Sequence, residues 1–208
     1  ASERILAVAV LAAALAAAIS FYANVLDFPH GRWDAWATWN LRARQLVDAG
    51  PEWRAVFPKP TLHGDYPLLI PATVARLWVY TGAKPPVVAA IVAATYATAL
   101  VLLLYAALAA LRGRAQGLVG ALCLLGTPVF LRVAPWQYAD IPLAFNLLAV
   151  LALLAFYDRD PARGRVMLVW AGVAAALMTW TKNEGIMLVV GILAVRGLWP
   201  LVGRAPDL

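Results

Sequence analysis

Four short stretches of this sequence carry side chains suited to proton transfer or phosphate binding. Asp34 stands between tryptophans in Trp33-Asp34-Ala35-Trp36, and Asp65 lies in His63-Gly64-Asp65-Tyr66-Pro67-Leu68. Asp140 falls in Ala139-Asp140-Ile141-Pro142, while Lys182 and Glu184 share Thr181-Lys182-Asn183-Glu184-Gly185. A carboxylate among aromatic side chains, such as Asp34, is a group that can accept a proton. Cations suit a phosphate or another anionic group. Lys182, Arg132, Lys59 and Arg76 are the candidates, arginine being able to bind two oxygens at once. His63, Asp65, Asp140 and Glu184 complete the candidate substrate-binding set. Asp34 and Asp140, with waters, form an oxygen pair of the kind that holds a divalent cation. His30 and His63 are the only histidines, which excludes a His-rich metal site. Each residue also has a plainer reading. Asp140 precedes Ile141-Pro142 at a helix start and can serve as an N-cap. His63 can be a surface histidine, and the charges of 181–185 can belong to an ordinary interfacial turn.

Composition indicates what must position these residues. Of 208 residues, 63% are hydrophobic and 13% charged, and the mean hydropathy is +0.76. Soluble proteins average roughly 45–50% apolar and about 25% charged residues. The missing charges are those that would face water, so lipid is expected to cover much of the surface. Disorder, collagen and disulfide scaffolds are excluded. The single cysteine, Cys123, lies in an apolar run and leaves no intramolecular disulfide, cysteine-based zinc cluster or redox pair. The excess of 17 Lys+Arg over 11 Asp+Glu does not signal nucleic acid, which requires clustered cations. Arg4, Arg112, Arg114, Arg159, Arg163, Arg165, Arg196 and Arg204 instead flank apolar runs.

A helix needs about 20 mainly apolar residues to cross the hydrocarbon core. The pattern predicts an all-α integral membrane protein, a single transmembrane domain over 1–208, with spans at roughly 5–26, 87–111, 116–133, 141–157, 166–181 and 185–200. The first contains Ala-x-Ala triplets, but its length and the lack of a polar cleavage region favour a retained anchor over a signal peptide. The stretch 67–82 is interrupted by Pro71 and Arg76. If it crossed the membrane, Arg112, Arg114 and the arginines of 159–165 would lie outside. Read as an interfacial helix, it leaves the flanking arginines together in the cytoplasm, as the positive-inside tendency requires. The expected protein therefore sits in a bacterial inner (plasma) membrane with its N-terminus cytoplasmic. Residues 27–86 form an extracytoplasmic loop, and 132–140 and 181–185 form short external loops. Asp34, Asp65, Arg132, Asp140, Lys182 and Glu184 then share one face. Charges near the bilayer are costly and usually mark pairing or function.

Residues 33–48 fit an amphipathic helix, with Trp36, Trp39, Ala43, Leu46 and Val47 on one stripe and Asp34, Thr38, Gln45 and Asp48 on another. Lying at the interface, such a helix would place indole rings at headgroup depth. Asp34 would occupy its first turn, where free backbone N–H groups favour a carboxylate. Asn24, Thr95, Thr98 and Asn146 stand isolated within spans and read as packing contacts between helices. The uncharged interiors of 5–26 and 87–111 argue against a transporter, which needs polar or broken segments near mid-bilayer.

In order and spacing these features resemble the first half of a GT-C membrane glycosyltransferase, of the protein O-mannosyltransferase and aminoarabinose (lipid A) transferase branch. The resemblance runs through the first span, the external Trp-Asp loop with Asp34, the stretch His63–Leu68, which is similar to the branch's His-Pro-Pro-Leu, Ala139-Asp140-Ile141-Pro142, and Thr181-Lys182, which is similar to its Thr-Lys-Gly. It implies Asp34 as the catalytic carboxylate, Asp140 facing the same site, and Lys182 as first among the phosphate-binding cations. The implied partners are a polyprenyl-phosphate sugar donor, an acceptor on the extracytoplasmic face and membrane lipids, with no nucleic acid. No cofactor is required beyond the divalent cation considered above. Three departures stand out: Ala35 where mannosyltransferases usually carry a second acid, Asp65-Tyr66 in place of Pro-Pro, and an end after the sixth apolar run. The branch continues through further spans, so the chain is expected to correspond to an N-terminal half. The alternative expectation is a non-catalytic membrane subunit, in which the same charges bridge to another membrane protein.

Overall fold

The computed structural model describes residues 2–56, 63–162 and 164–202, and among them all regular structure is helical. Helix α1 spans Ser2–Asp27, α2 Asn40–Ala49, α3 Leu69–Thr81 and α4 Val87–Arg112. Helix α5 follows at Arg114–Leu125, α6 at Pro128–Val133, α7 at Asp140–Arg159, α8 at Arg165–Thr181 and α9 at Glu184–Val202. Three of them, α1, α4 and α7, are long and apolar enough to cross a membrane, and a bent pair built from α5 and α6 raises this to four. The chain is thus an all-helical membrane protein. Helix α1 contains no buried residue, and Ile5, Val8, Leu11, Leu15, Ile19 and Leu26 lie open along it. Such a surface is tolerable in lipid and costly in water.

Helix α4 lies at the centre and packs on α3, α5 and α7, while α7 packs on α8 and α8 on α9. The close approach is possible because α4 buries mainly small side chains, among them Ala89, Ala93, Ala97 and Ala107. Helix α1 leans on α5, and α2 pairs with α3. One apolar cluster joins Ala43, Val74, Ala75, Trp78, Val88 and Val92, and so fastens α2 and α3 to the first turns of α4. A second joins Leu100 of α4 to Leu125, Phe130 and Ile141. At one end of the bundle, an Arg159 guanidinium nitrogen donates to the Ala110 carbonyl at 2.8 Å, and Arg196 pairs with Asp158 through two contacts of 2.8 and 2.7 Å. Helices α4 and α7 therefore end together, and the candidate residues around Asp140 lie at the opposite end of α7.

Two local features differ from expectation. The segment anticipated as one span at 116–133 is two helices bent by 60°. Pro128 cannot continue a helix and holds Thr127 extended (ψ 114°), so α5 stops at Leu125. In the segment 33–48, a π-helical turn over Ala35–Trp39 precedes α2. That extra residue rotates the register. Ala35, Thr38, Trp39, Arg42 and Ala43 are buried, and Trp36 is half exposed with Trp33 edge-on to it at 4.5 Å. The anticipated stripe is therefore corrected: Trp36 leaves it, and Thr38, which had been assigned to the polar stripe, joins the buried face.

Candidate functional site

Helices α7 and α8 pack against each other, so the first residue of α7 and the turn after α8 meet at the same end. Lys182, extended just beyond α8 (φ −159°, ψ 149°), sets its ammonium 3.1 Å from Asp140 Oδ1 and 3.1 Å from Glu184 Oε1. Asp140 thus pairs with a cation and makes no side-chain cap; Ala139 holds the cap position. Below them, Asn146 Nδ2 donates to Thr181 Oγ1 at 3.1 Å, and the Thr181 hydroxyl donates to the Leu177 carbonyl at 2.7 Å. The turn closes through Gly185, whose N–H donates to the Lys182 carbonyl at 2.9 Å. A Cβ on Gly185 would fall 2.2 Å from the Met178 carbonyl oxygen, in a place where Met178 is fully buried. Gly185→Ala is accordingly expected to push α9 away from α8 and to destabilise the protein by about 1–3 kcal/mol, read as a lower thermal midpoint in detergent. An unchanged midpoint would show that the turn relaxes freely.

Asp65 reaches this turn from a rigid loop. Tyr66 N–H donates to the His63 carbonyl at 3.0 Å, and His63 takes a left-handed conformation (φ 52°). Arg42, 5% exposed, donates from its two terminal guanidinium nitrogens to the carbonyls of Gly64 and Tyr66. The Tyr66 ring is stacked both on Trp39, at 5.3 Å, and on His63, at 4.7 Å. Held in this way, Asp65 accepts a hydrogen bond from Asn183 Nδ2. Burial pushes the Tyr66 hydroxyl above its usual pKa; the charge of Glu184 adds to the effect and Lys182 opposes it. Arg42→Met is expected to cost about 2–3 kcal/mol, because two carbonyls lose charge-assisted donors. Urea titration followed by Trp fluorescence would check it, and an unchanged midpoint would mean that water replaces the guanidinium.

Asp34 arrives by a third route. Gly31 (φ 75°) presses on the loop 134–139: a Cβ there would lie 2.6 Å from the Trp136 carbonyl oxygen, so only glycine allows this contact. Arg32 N–H donates to that same carbonyl at 3.3 Å. Gln137, nearly buried and left-handed (φ 63°), donates from Nε2 to the Pro29 carbonyl at 3.1 Å and accepts from Asn40 Nδ2 at 2.8 Å. The consequence is that Asp34 N–H donates to the Tyr138 hydroxyl at 3.3 Å. That hydroxyl is raised by burial above all; the Asp34 backbone N–H opposes this, the Asp34 and Asp140 carboxylates add to it, and Arg32 opposes it. The charges of both carboxylates therefore act on one phenol in the same direction. Asp140 Oδ1 and Glu184 Oε1 are occupied by Lys182 and Asp65 Oδ2 by Asn183, while Glu184 Oε2 is buried without a partner among the described residues. Among the described residues no donor pairs with the Asp34 carboxylate.

Not every residue singled out from sequence joins the cluster. Arg132 is exposed on α6 and forms no ion pair with it among the described residues. Arg32 is the guanidinium that acts on Tyr138. Arg76 is exposed on α3, where its Nε donates to the Tyr80 hydroxyl at 2.8 Å. His63 serves as a stacking partner for Tyr66. Lys59, Arg163 and Arg204 lie outside the described residues. Among the described residues no group of three or more His, Cys, Asp or Glu side chains is placed to hold a metal ion, so Asp34 and Asp140 gain no third protein ligand of those types. Arg32, Arg42, Gln137 and Tyr138 escaped the sequence reading. Tyr138 carried the one usable signal, a phenol two residues before Asp140. Searches of protein-family models, curated proteins and solved structures found no match to this chain.

Proposed function

We propose that the chain is a membrane glycosyltransferase that moves a sugar from a polyprenyl-phosphate donor to an acceptor on the extracytoplasmic face, with Asp34 as general base. The observation that supports this reading is the Asp34 carboxylate, unpaired among the described residues, on a residue whose backbone N–H meets the Tyr138 hydroxyl two positions before Asp140 of the Asp140–Lys182–Glu184 cluster. A base must be free to accept a proton, and Asp140, Glu184 and Asp65 each already engage one carboxylate oxygen with Lys182 or Asn183. In the reaction, the acceptor hydroxyl or amine attacks the anomeric carbon and its proton passes to Asp34. The bond from that carbon to the phosphate oxygen breaks, and the lipid phosphate leaves with the electron pair. Lys182, with Arg32, supplies the positive charge for that phosphate. In this reading α1, α4, the α5–α6 pair, α7, α8 and α9 are the six crossings. Helices α2 and α3 lie at the outer interface, the N-terminus is cytoplasmic and the membrane is a bacterial inner membrane.

Two measurements test it. Proteoliposomes of the full chain, offered a panel of polyprenyl-phosphate sugars with hydroxyl and amine acceptors, should release polyprenyl phosphate; no release with any donor defeats the reading. On a Cys123→Ala background, Asp34→Cys, Asp140→Cys and Asn183→Cys should all be labelled from the outside of sealed vesicles. A single position labelled only from inside would separate the three loops and remove the site.

A second reading has its own support. Lys182 is fully engaged by Asp140 and Glu184, as it would be in a non-catalytic membrane subunit whose charges serve folding or assembly. It expects Asp34→Asn to leave transfer by the intact native assembly unchanged.

A further inference from the structure

A cavity of about 290 Å³ opens away from the carboxylate–lysine cluster, with His30, Trp36, Arg44, Trp78 and Lys84 among its walls and Pro86 and Ala89 at the start of α4. None of Asp34, Asp65, Asp140, Lys182 or Glu184 lines it. Its depth follows from the chain. His30 lies just past the end of α1 at Asp27, and Pro86 caps the N-terminus of α4. Two membrane-length helices thus leave their apolar runs at the level of the cavity, which is headgroup depth. Two indoles in its wall suit that level.

The donors differ in availability. Asn40 spends its amide on the His30 carbonyl and on Gln137, and Trp78 Nε1 donates to the Pro85 carbonyl at 3.0 Å, so these groups shape the wall. Arg44 is exposed and its guanidinium has no partner among the described residues. Lys84 is paired with Asp48, whose side chain is 55% exposed. The His30 ring and the Trp36 indole are exposed as well. A planar guanidinium and an ammonium in the wall of one cavity match a phosphate, with two oxygens on the arginine. The exposed Trp36 indole matches the apolar carbons attached to such a group.

We infer that this cavity binds a phosphate ester at the membrane surface, with Arg44 and Lys84 on the phosphate oxygens and Trp36 against the adjoining carbons. The ester comes either from a lipid headgroup or from a soluble phosphate. The site does not depend on sugar transfer, and loss of that reading would leave it standing.

The full chain in detergent micelles is offered dioleoyl phosphatidylglycerol, neutral dioleoylglycerol or glycerol 3-phosphate, and binding is read by native mass spectrometry and calorimetry. Phosphatidylglycerol should be retained over dioleoylglycerol, and Arg44→Gln should weaken it by about tenfold, the loss of one charge-assisted contact. Asp48→Asn frees Lys84 and should tighten binding several-fold, a gain that misfolding cannot produce. Glycerol 3-phosphate binding with the same Arg44→Gln sensitivity, and no preference for the lipid, assigns the site to a soluble ester. The proposal is overturned if neither phosphate probe binds above the neutral lipid. It is equally overturned if Arg44→Gln and Asp48→Asn both leave affinity unchanged.

Discussion

Asp34→Asn is expected to lower sugar transfer by about 10²–10⁴-fold, the usual contribution of a positioned general base, while the thermal midpoint stays within about 1 °C of the parent. The two halves of that expectation come from different atoms. Backbone groups and Gln137 dock residues 29–34 on the loop 134–139, through Arg32 N–H to Trp136, Asp34 N–H to Tyr138 and Gln137 to Pro29. Asparagine keeps the backbone and nearly the same shape. Its side chain gives up no hydrogen bond, because the carboxylate has no donor among the described residues. The amide, however, cannot take a proton at neutral pH. The loss should therefore appear in kcat, with KM for the donor little changed, since an interaction made only in the transition state is removed. Full activity in the variant would move the base elsewhere. A fall in thermal midpoint matching the fall in activity would make Asp34 a structural residue.

What could be read from sequence, and what could not, divides along physical lines. Long uncharged runs are a strong signal because their length is set by bilayer thickness, and α1, α4 and α7 appear where hydropathy places them. The break at 126–128 was written in Gly126-Thr127-Pro128, but a hydropathy average passes over a proline. The helix register after Asp34 was not legible, because one π-helical turn shifts every later side chain and no residue type marks it. The meeting of Asp140, Lys182 and Glu184 follows from helix packing: residues within a few positions of the ends of two packed helices come close, and Asp65 joins them through Asn183. The link from Asp34 to that group was not readable. It depends on Gln137 adopting a left-handed backbone and on Gly31 touching a carbonyl more than a hundred residues away. Arg132 and Arg76 illustrate the converse. Membership of the right segment does not decide the direction of a long side chain, and Arg76 turns onto Tyr80 within its own helix.

Lys182→Gln is the second substitution with a large expected effect, and it acts on stability and activity together. The ammonium is mostly buried, its side chain 16% exposed, between two carboxylates. Burial alone would depress its pKa; Asp140 and then Glu184 outweigh that and hold it above the ordinary lysine value. A folded-state pKa above the unfolded one means that the ion pairs stabilise fully at pH values below the ordinary lysine range. That stability is lost as pH rises through the folded value. Unfolding midpoints of the parent and Lys182→Gln, measured from pH 7 into the alkaline range, should therefore converge as pH rises. At neutral pH the variant leaves Asp140 and Glu184 without a cation; because both carboxylate side chains are 46% exposed, water screens them and the loss is expected to be about 1–2 kcal/mol. Adding Asp140→Asn removes one of the repelling charges, so the double variant should regain a good part of the lost midpoint. Transfer should not return with it, because the departing lipid phosphate still lacks its ammonium. Recovery of both together would make Lys182 a purely structural counter-ion, and recovery of neither would show that Asp140 contributes more than charge to the packing of α7 on α8.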